Sequence, residues 1–154
     1  MFKKILAVFG VVLLLASYAQ AKDEVIESFE DEADLDLWMA DDGVELVSEN
    51  ATEGAKSAKV EYKADLKEER RFCISDQKFG SLFNPDWSTY KSMKVDIFND
   101  SDKEGLMQIR IKSNEHMKKW GKAYKLPSKK QITIEVTMKE LSDKINLNEI
   151  NYLG

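Results

Sequence analysis

Four stretches of this chain alternate apolar and polar side chains with a period of two, and this pattern limits the possible folds more than any other feature. Ser57 to Tyr62 sets Ala58, Val60 and Tyr62 against Ser57, Lys59 and Glu61, and Met93 to Phe98 sets Met93, Val95 and Ile97 against Lys94, Asp96 and Phe98. Leu106 to Lys112 sets Met107, Ile109 and Ile111 against Gln108, Arg110 and Lys112, and Gln131 to Thr137 sets Ile132, Ile134 and Val136 against Thr133, Glu135 and Thr137. Successive side chains of a strand point to opposite faces, so each stretch reads as a strand with one face buried and the other wet. One-sided burial belongs to antiparallel sheets. Shorter strands are expected at Val25–Phe29, Gly43–Val47, Arg70–Ile74 and Lys122–Leu126, with turns at Asp41–Gly43, Thr52–Gly54, Asn84–Asp86, Asn99–Gly105 and Pro127–Ser128. Helix is confined to single turns at Met138–Ser142 and Asp86–Tyr90. About eight short strands separated by turns predict an all-β, two-sheet antiparallel β-sandwich or jelly roll.

Met1 to Ala21 stands outside this pattern. Lys3 and Lys4 precede the apolar run Ile5 to Ala16, and Ala19-Gln20-Ala21 has the small-x-small form that a signal peptidase cuts. The run is shorter than the roughly 20 residues that a membrane-spanning helix needs. The expected organisation is therefore a secretory signal at 1–21 and one β-sandwich domain at 22–154, secreted or periplasmic, with no membrane span after cleavage.

Charge and the scarcity of certain side chains remove several kinds of function. The chain has 23 lysines and arginines against 28 aspartates and glutamates, the wrong balance for a protein that tracks a phosphate backbone, so no nucleic-acid partner is expected. His116 is the single histidine and Cys73 the single cysteine, too few for an imidazole-based catalytic triad or a zinc site of several nitrogens and sulfurs. His116 lies in a lysine-rich polar loop and reads as exposed. Cys73 lies within Phe72-Cys73-Ile74 and reads as a small buried hydrophobe. With 28 acidic residues a carboxylate pair for glycoside hydrolysis is available, but availability does not locate one. No nucleophile elbow, phosphate-binding glycine loop or triad order is present, and the sequence is not expected to be an enzyme. The sequons Asn50-Ala51-Thr52 and Asn99-Asp100-Ser101 carry no functional weight.

Several short motifs together carry a resemblance. Phe29-Glu30-Asp31 followed by Trp38, then Ala51-Thr52-Glu53-Gly54 leading into Ser57-Ala58-Lys59-Val60, then Asp86-Trp87-Ser88-Thr89-Tyr90 leading into Met93 to Asn99, resemble the carbohydrate-binding-module jelly rolls of the galactose-binding-like superfamily. The resemblance spans most of Val25 to Tyr152. It implies polysaccharide binding, although sequences of this superfamily also include protein-binding and assembly domains. It further implies a closing strand, bearing an Asp, after a segment like Ile145–Leu153. The sequence given stops at Gly154, so either that strand is absent, leaving an edge for a partner or dimer mate to cover, or the sequence is a truncated member of the family.

Sugar rings stack on aromatic faces, and planar polar groups match their hydroxyls. Trp87 and Tyr90 fall in the packing motif of the resembling family, and Trp38 follows Leu35 and Leu37, so these read as core. Trp120 lies among Lys118, Lys119 and Lys122 and is read both as a ligand platform and as core; with Tyr124 it forms the candidate aromatic contact. Lys59, Glu61, Arg71, Asp96, Gln108, Arg110 and Glu135 alternate outward, and Asp96, Arg110 and Glu135 are the candidate hydroxyl partners if neighbouring strands bring them together. The competing reading of that face is a solvated surface of cross-strand ion pairs. The resemblance also implies a structural calcium ion near the first strand, for which Glu30 and Glu53 hold the matching positions. The expected function is a non-catalytic secreted domain that binds a polysaccharide. The alternative is a cell-envelope module of the same fold that binds a protein.

Overall fold

The computed structural model describes residues 24–62, 70–74, 79–80, 83–114 and 118–154. The expected signal segment and His116 lie outside the described residues.

Strand dominates. β1 (Met39–Ala40) pairs antiparallel with β4 (Phe72–Cys73), β2 (Val44–Val47) with β3 (Ser57–Val60), and β5 (Ser92–Asn99) with β8 (Lys130–Thr137). β6 (Gly105–Ser113) lies between β7 (Lys119–Leu126) and β9 (Ile150–Leu153). Ile74 extends this sheet: its N–H donates to the Leu153 carbonyl at 2.8 Å and its carbonyl accepts from the Leu153 N–H at 3.4 Å. Beyond β9 the sheet therefore continues to the segment that carries β4.

All four stretches of period-two alternation form strands, the first only as far as Val60. Along β6 the odd-numbered residues turn in, and Ile109, Ile111 and Ser113 are buried. On β8 Ile134 and Val136 are buried while Thr133, Glu135 and Thr137 are exposed. Inward residues of both β5–β8 and β7–β6–β9 belong to one hydrophobic cluster: Met93, Ile134 and Val136 from the first, Ile109, Ile111, Trp120 and Ile150 from the second. Ile111 and Val136 retain no exposure, and each such side chain contributes roughly 1.5–3 kcal/mol by leaving water. The fold is all-β, with short helical turns that include Glu32–Leu35, Met138–Ser142 and the 3₁₀ turn Leu147–Glu149, and no helix among the described residues is long and apolar enough to cross a membrane.

Two expectations fail for local reasons. Val25–Phe29 is not a strand. The Glu27 carboxylate accepts from the Ser28 and Phe29 N–H groups at 2.9 and 3.1 Å, and Phe29 takes a left-handed φ of 59°, which breaks an extended run. The chain then enters the short helix α1 (Glu32–Leu35), where Asp31 accepts from the Ala33 N–H at 2.8 Å and Asp34 accepts from the Glu30 and Asp31 N–H groups. Asp86–Tyr90 is a turn rather than a helix, held by Asp86 accepting from the Ser88 N–H and hydroxyl at 2.9 and 2.6 Å. The other expected helical turn is α2 (Met138–Ser142), with Thr137 as its N-cap and Met138 and Leu141 buried.

Candidate functional site

The register of β6 and β7 decides which of the expected contacts face solvent. Ile111 stands opposite Trp120, and Met107 opposite Tyr124, so both aromatic rings lie on the inward side. Trp120 is 6% exposed and belongs to the core. It is therefore not a surface platform: β7 begins at Lys119, ahead of the expected Lys122, and carries Trp120 inward. Tyr124 packs partly buried against the same core, its hydroxyl buried without a hydrogen-bond partner, and that burial pushes its phenol pKa up.

The three expected hydroxyl partners do not share a sheet. Asp96 is on β5 and Glu135 on β8, where their neighbours are Thr133 and Ser92: the Thr133 hydroxyl donates to Asp96, and the Ser92 hydroxyl to Glu135 at 2.7 Å. Arg110 is on β6, which pairs only with β7 and β9 among the described strands. The expected Asp96–Arg110–Glu135 grouping therefore does not form, and on the β5–β8 face Lys94 stands opposite Glu135.

Glu30 reaches the turn that follows Glu53 and is already engaged there. Its Oε1 accepts from the Ala55 and Lys56 N–H groups at 2.9 and 3.3 Å, and it lies so close over Gly54 that an added Cβ would stand 1.9 Å away. Calcium takes six to eight oxygens. Among the described residues no group of three or more His, Cys, Asp or Glu side chains converges.

What the fold does assemble is the outward face of β7, β6 and β9, continued by the segment around β4. The even-numbered residues Gln108, Arg110 and Lys112 turn outward on β6, opposite Ala123, Gly121 and Lys119. Arg110 Nε donates to Gln108 Oε1 at 2.6 Å, tying two planar polar groups together. At Gly121 the face has no side chain, and a Cβ there would meet Gln108 Nε2 and Arg110 Cγ at 3.5 and 3.6 Å. Tyr152 stands opposite Lys112 on β9, with the Lys112 ammonium 4.0 Å from the centre of its ring. The Tyr152 phenol is pushed up to about 12 by burial, and by its contact with the buried Cys73 thiol; Arg110 and Arg71 oppose the shift.

The margin of this face is also polar and aromatic. Arg71 donates through Nε and Nη2 to the two oxygens of Asp41 at 3.1 and 3.3 Å, and the Arg71 backbone N–H donates to Asp41 Oδ2 at 3.0 Å. This hydrogen bonding by Arg71 holds the Asp41 carboxyl below its ordinary value. Tyr62, 52% exposed, has its phenol pKa raised by burial and by the neighbouring Asp42 and Asp41.

Arg110 is thus the expected contact that reaches this surface, where Tyr152 and Lys119 also stand. Alternation predicts Tyr62 inward, but β3 ends at Val60 and the alternation ends with it. Tyr152 follows a 3₁₀ turn at Leu147–Glu149, which hides the start of β9 from any period-two pattern. No protein-family model matches the sequence, and no curated protein or solved structure matches it.

Proposed function

We propose that the chain is a non-catalytic carbohydrate-binding domain, secreted or periplasmic, built as a two-sheet antiparallel sandwich, and that it holds a polysaccharide on the outward face of β7, β6 and β9. One observation carries the reading: Tyr152, Gln108 and Arg110 stand together on an open sheet face whose floor is bare at Gly121. A sugar presents C–H groups to an aromatic surface and hydroxyls to planar donors and acceptors. A glycine and an alanine across from those groups let such a ring approach the strand backbone. A core that draws on both sheets supports the sandwich, and the signal-like Met1–Ala21 supports export.

The test is a glycan array followed by calorimetry, with Tyr62→Ala and Gln108→Ala as variants. Both residues are exposed, so the thermal melt should hold while affinity for the captured polysaccharide falls by about tenfold or more. A folded protein that captures no saccharide overturns the reading.

A second reading rests on Leu106, 75% exposed on β6, and on the outer edge of β7, which has no ladder partner among the described residues. On that reading the domain docks a cell-envelope protein along the edge. Tyr62→Ala would then leave partner binding unchanged, and Leu106→Glu would abolish it.

A further inference from the structure

β6, β7 and β9 differ from the rest of the chain in charge. Their 9, 8 and 4 residues include Arg110, Lys112, Lys119, Lys122 and Lys125 but no aspartate or glutamate, in a protein whose formal charge is −5. Register and alternation separate these five. Lys122 is on the inward side and ion-pairs with Glu140 at 3.1 Å, and Lys125 pairs with Glu104 at 3.2 Å. By the same alternation Lys125 shares the outward face with Arg110, Lys112 and Lys119, the last three standing around Gly121 and beside Tyr152.

The pairing of Lys112 with Lys119 is the telling feature. They are direct cross-strand partners, and like charges directly opposite each other destabilise a ladder. Elsewhere the same protein places opposite charges across its ladders: Glu45 faces Lys59, and Lys94 faces Glu135. Several of its surface cations have carboxylates at hand, as in Lys59 with Glu45 and Glu61, Lys129 with Asp100 and Asp102, and Arg71 with Asp41. Among the described residues neither Lys112 nor Lys119 has an ion-pair partner; Lys112 has only the Tyr152 ring. Folding gains nothing from such a pair, but an anion laid between the two ammonium groups would turn the repulsion into attraction. A guanidinium one ladder step away adds a planar group matched to carboxylate geometry.

We infer that the outward face of β7–β6–β9 binds an anionic, carboxylate-bearing polysaccharide, with Lys112, Lys119 and Arg110 taking successive uronate groups across the bare floor at Gly121. This rests on the carbohydrate-binding reading and names its ligand class. Side chains two residues apart on one strand are about 6–7 Å apart, so Arg110 and Lys112 contact neighbouring charges of a polymer rather than one isolated anion. The net negative charge of the rest of the molecule repels polyanions, so attraction is confined to this face and weakens with salt.

The test compares polygalacturonate with its fully methyl-esterified form, which keeps the sugar backbone and removes the charge. Calorimetry on the purified protein should show the acid form bound at least about tenfold more tightly at low salt, a preference that shrinks as salt is added. The double variant K112Q/K119Q should lose that preference while melting close to the parent, because it removes a repulsive pair together with the Lys112 contact on the Tyr152 ring. Lys94→Gln, on the β5–β8 face, should change nothing. Equal binding of the two forms, or of a neutral glucan in place of both, would overturn this inference while leaving the carbohydrate-binding reading intact. No binding to acid, esterified or neutral polysaccharides would overturn both. Equally tight binding of single-stranded DNA or inorganic polyphosphate would overturn the assignment to a saccharide and leave only a general anion-attracting face.

Discussion

At Gly54 one backbone angle and one carboxylate define each other. The residue sits at φ +71°, where an L side chain is strained, and the Glu30 carboxylate occupies the space its Cβ would need. Glu30 in turn satisfies the Ala55 and Lys56 N–H groups across 25 and 26 residues of sequence, joining the start of the domain to the turn before β3. Gly54→Ala is expected to cost about 1–3 kcal/mol in denaturant unfolding, from the backbone strain and from displacing the carboxylate. Glu30→Ala should cost about 1 kcal/mol, and the double variant less than the two combined, since both remove the same contact. The calcium expectation is tested at the same place. With Glu30 serving amides, the melting temperature should be the same in calcium and in chelator. A calcium-dependent rise that Glu30→Gln abolishes would return a metal to this turn.

Single strands were legible in the sequence where the alternation was long, and illegible where a strand was short or opened among charges. Ser92–Asn99, Gly105–Ser113 and Lys130–Thr137 are eight or nine residues long and alternate with period two through most of that length, so their faces could be assigned without any knowledge of their neighbours. β7 has lysines at 119, 122 and 125, and these masked the parity that places Trp120, Lys122 and Tyr124 on one side. Only the pairing of Ile111 with Trp120 reveals it. The candidate site failed for a related reason, since the sequence states which residues point outward but not which strands are neighbours. Asp96, Arg110 and Glu135 do alternate outward, yet β5 and β8 pair with each other and not with β6. The consequence for β7 can be measured. Trp120→Ala should destabilise the domain by about 3–5 kcal/mol, as truncation of a buried aromatic does, and Trp120→Phe should cost less and leave saccharide affinity unchanged. A Phe variant that melts like the parent but no longer binds would return Trp120 to the ligand.

Over the whole molecule the titrating groups set the pH range in which the fold is secure. Tyr152 is pushed up to about 12 from an ordinary 10.0, chiefly by burial and then by Cys73, and burial also raises Tyr62 and Tyr124. A phenol whose folded value is raised favours the folded state while it stays protonated. Between pH 10 and about 12 the unfolded chain has lost that proton and the folded chain still holds it, so stability falls as pH climbs through this window. The lysines act in the same direction: hydrogen bonds to Glu140 raise Lys122 and those to Asp100 raise Lys129, and the stability they add is complete below the ordinary lysine value and lost above it. At the acid end, Arg71 lowers Asp41 and Ser88 lowers Asp86, so their contribution is present above the ordinary carboxyl value and disappears as pH falls through the lowered one. The melting temperature is therefore expected to be flat from about pH 5 to 9 and to drop on both sides. Tyr152→Phe should make the alkaline drop shallower without moving the acid one, and the tyrosinate absorbance of the folded parent should lag behind that of the unfolded chain by a comparable interval. An alkaline limb identical in parent and variant would show that the Tyr152 phenol ionises in the folded protein as it does in water, and that burial beside Cys73 does not hold its proton.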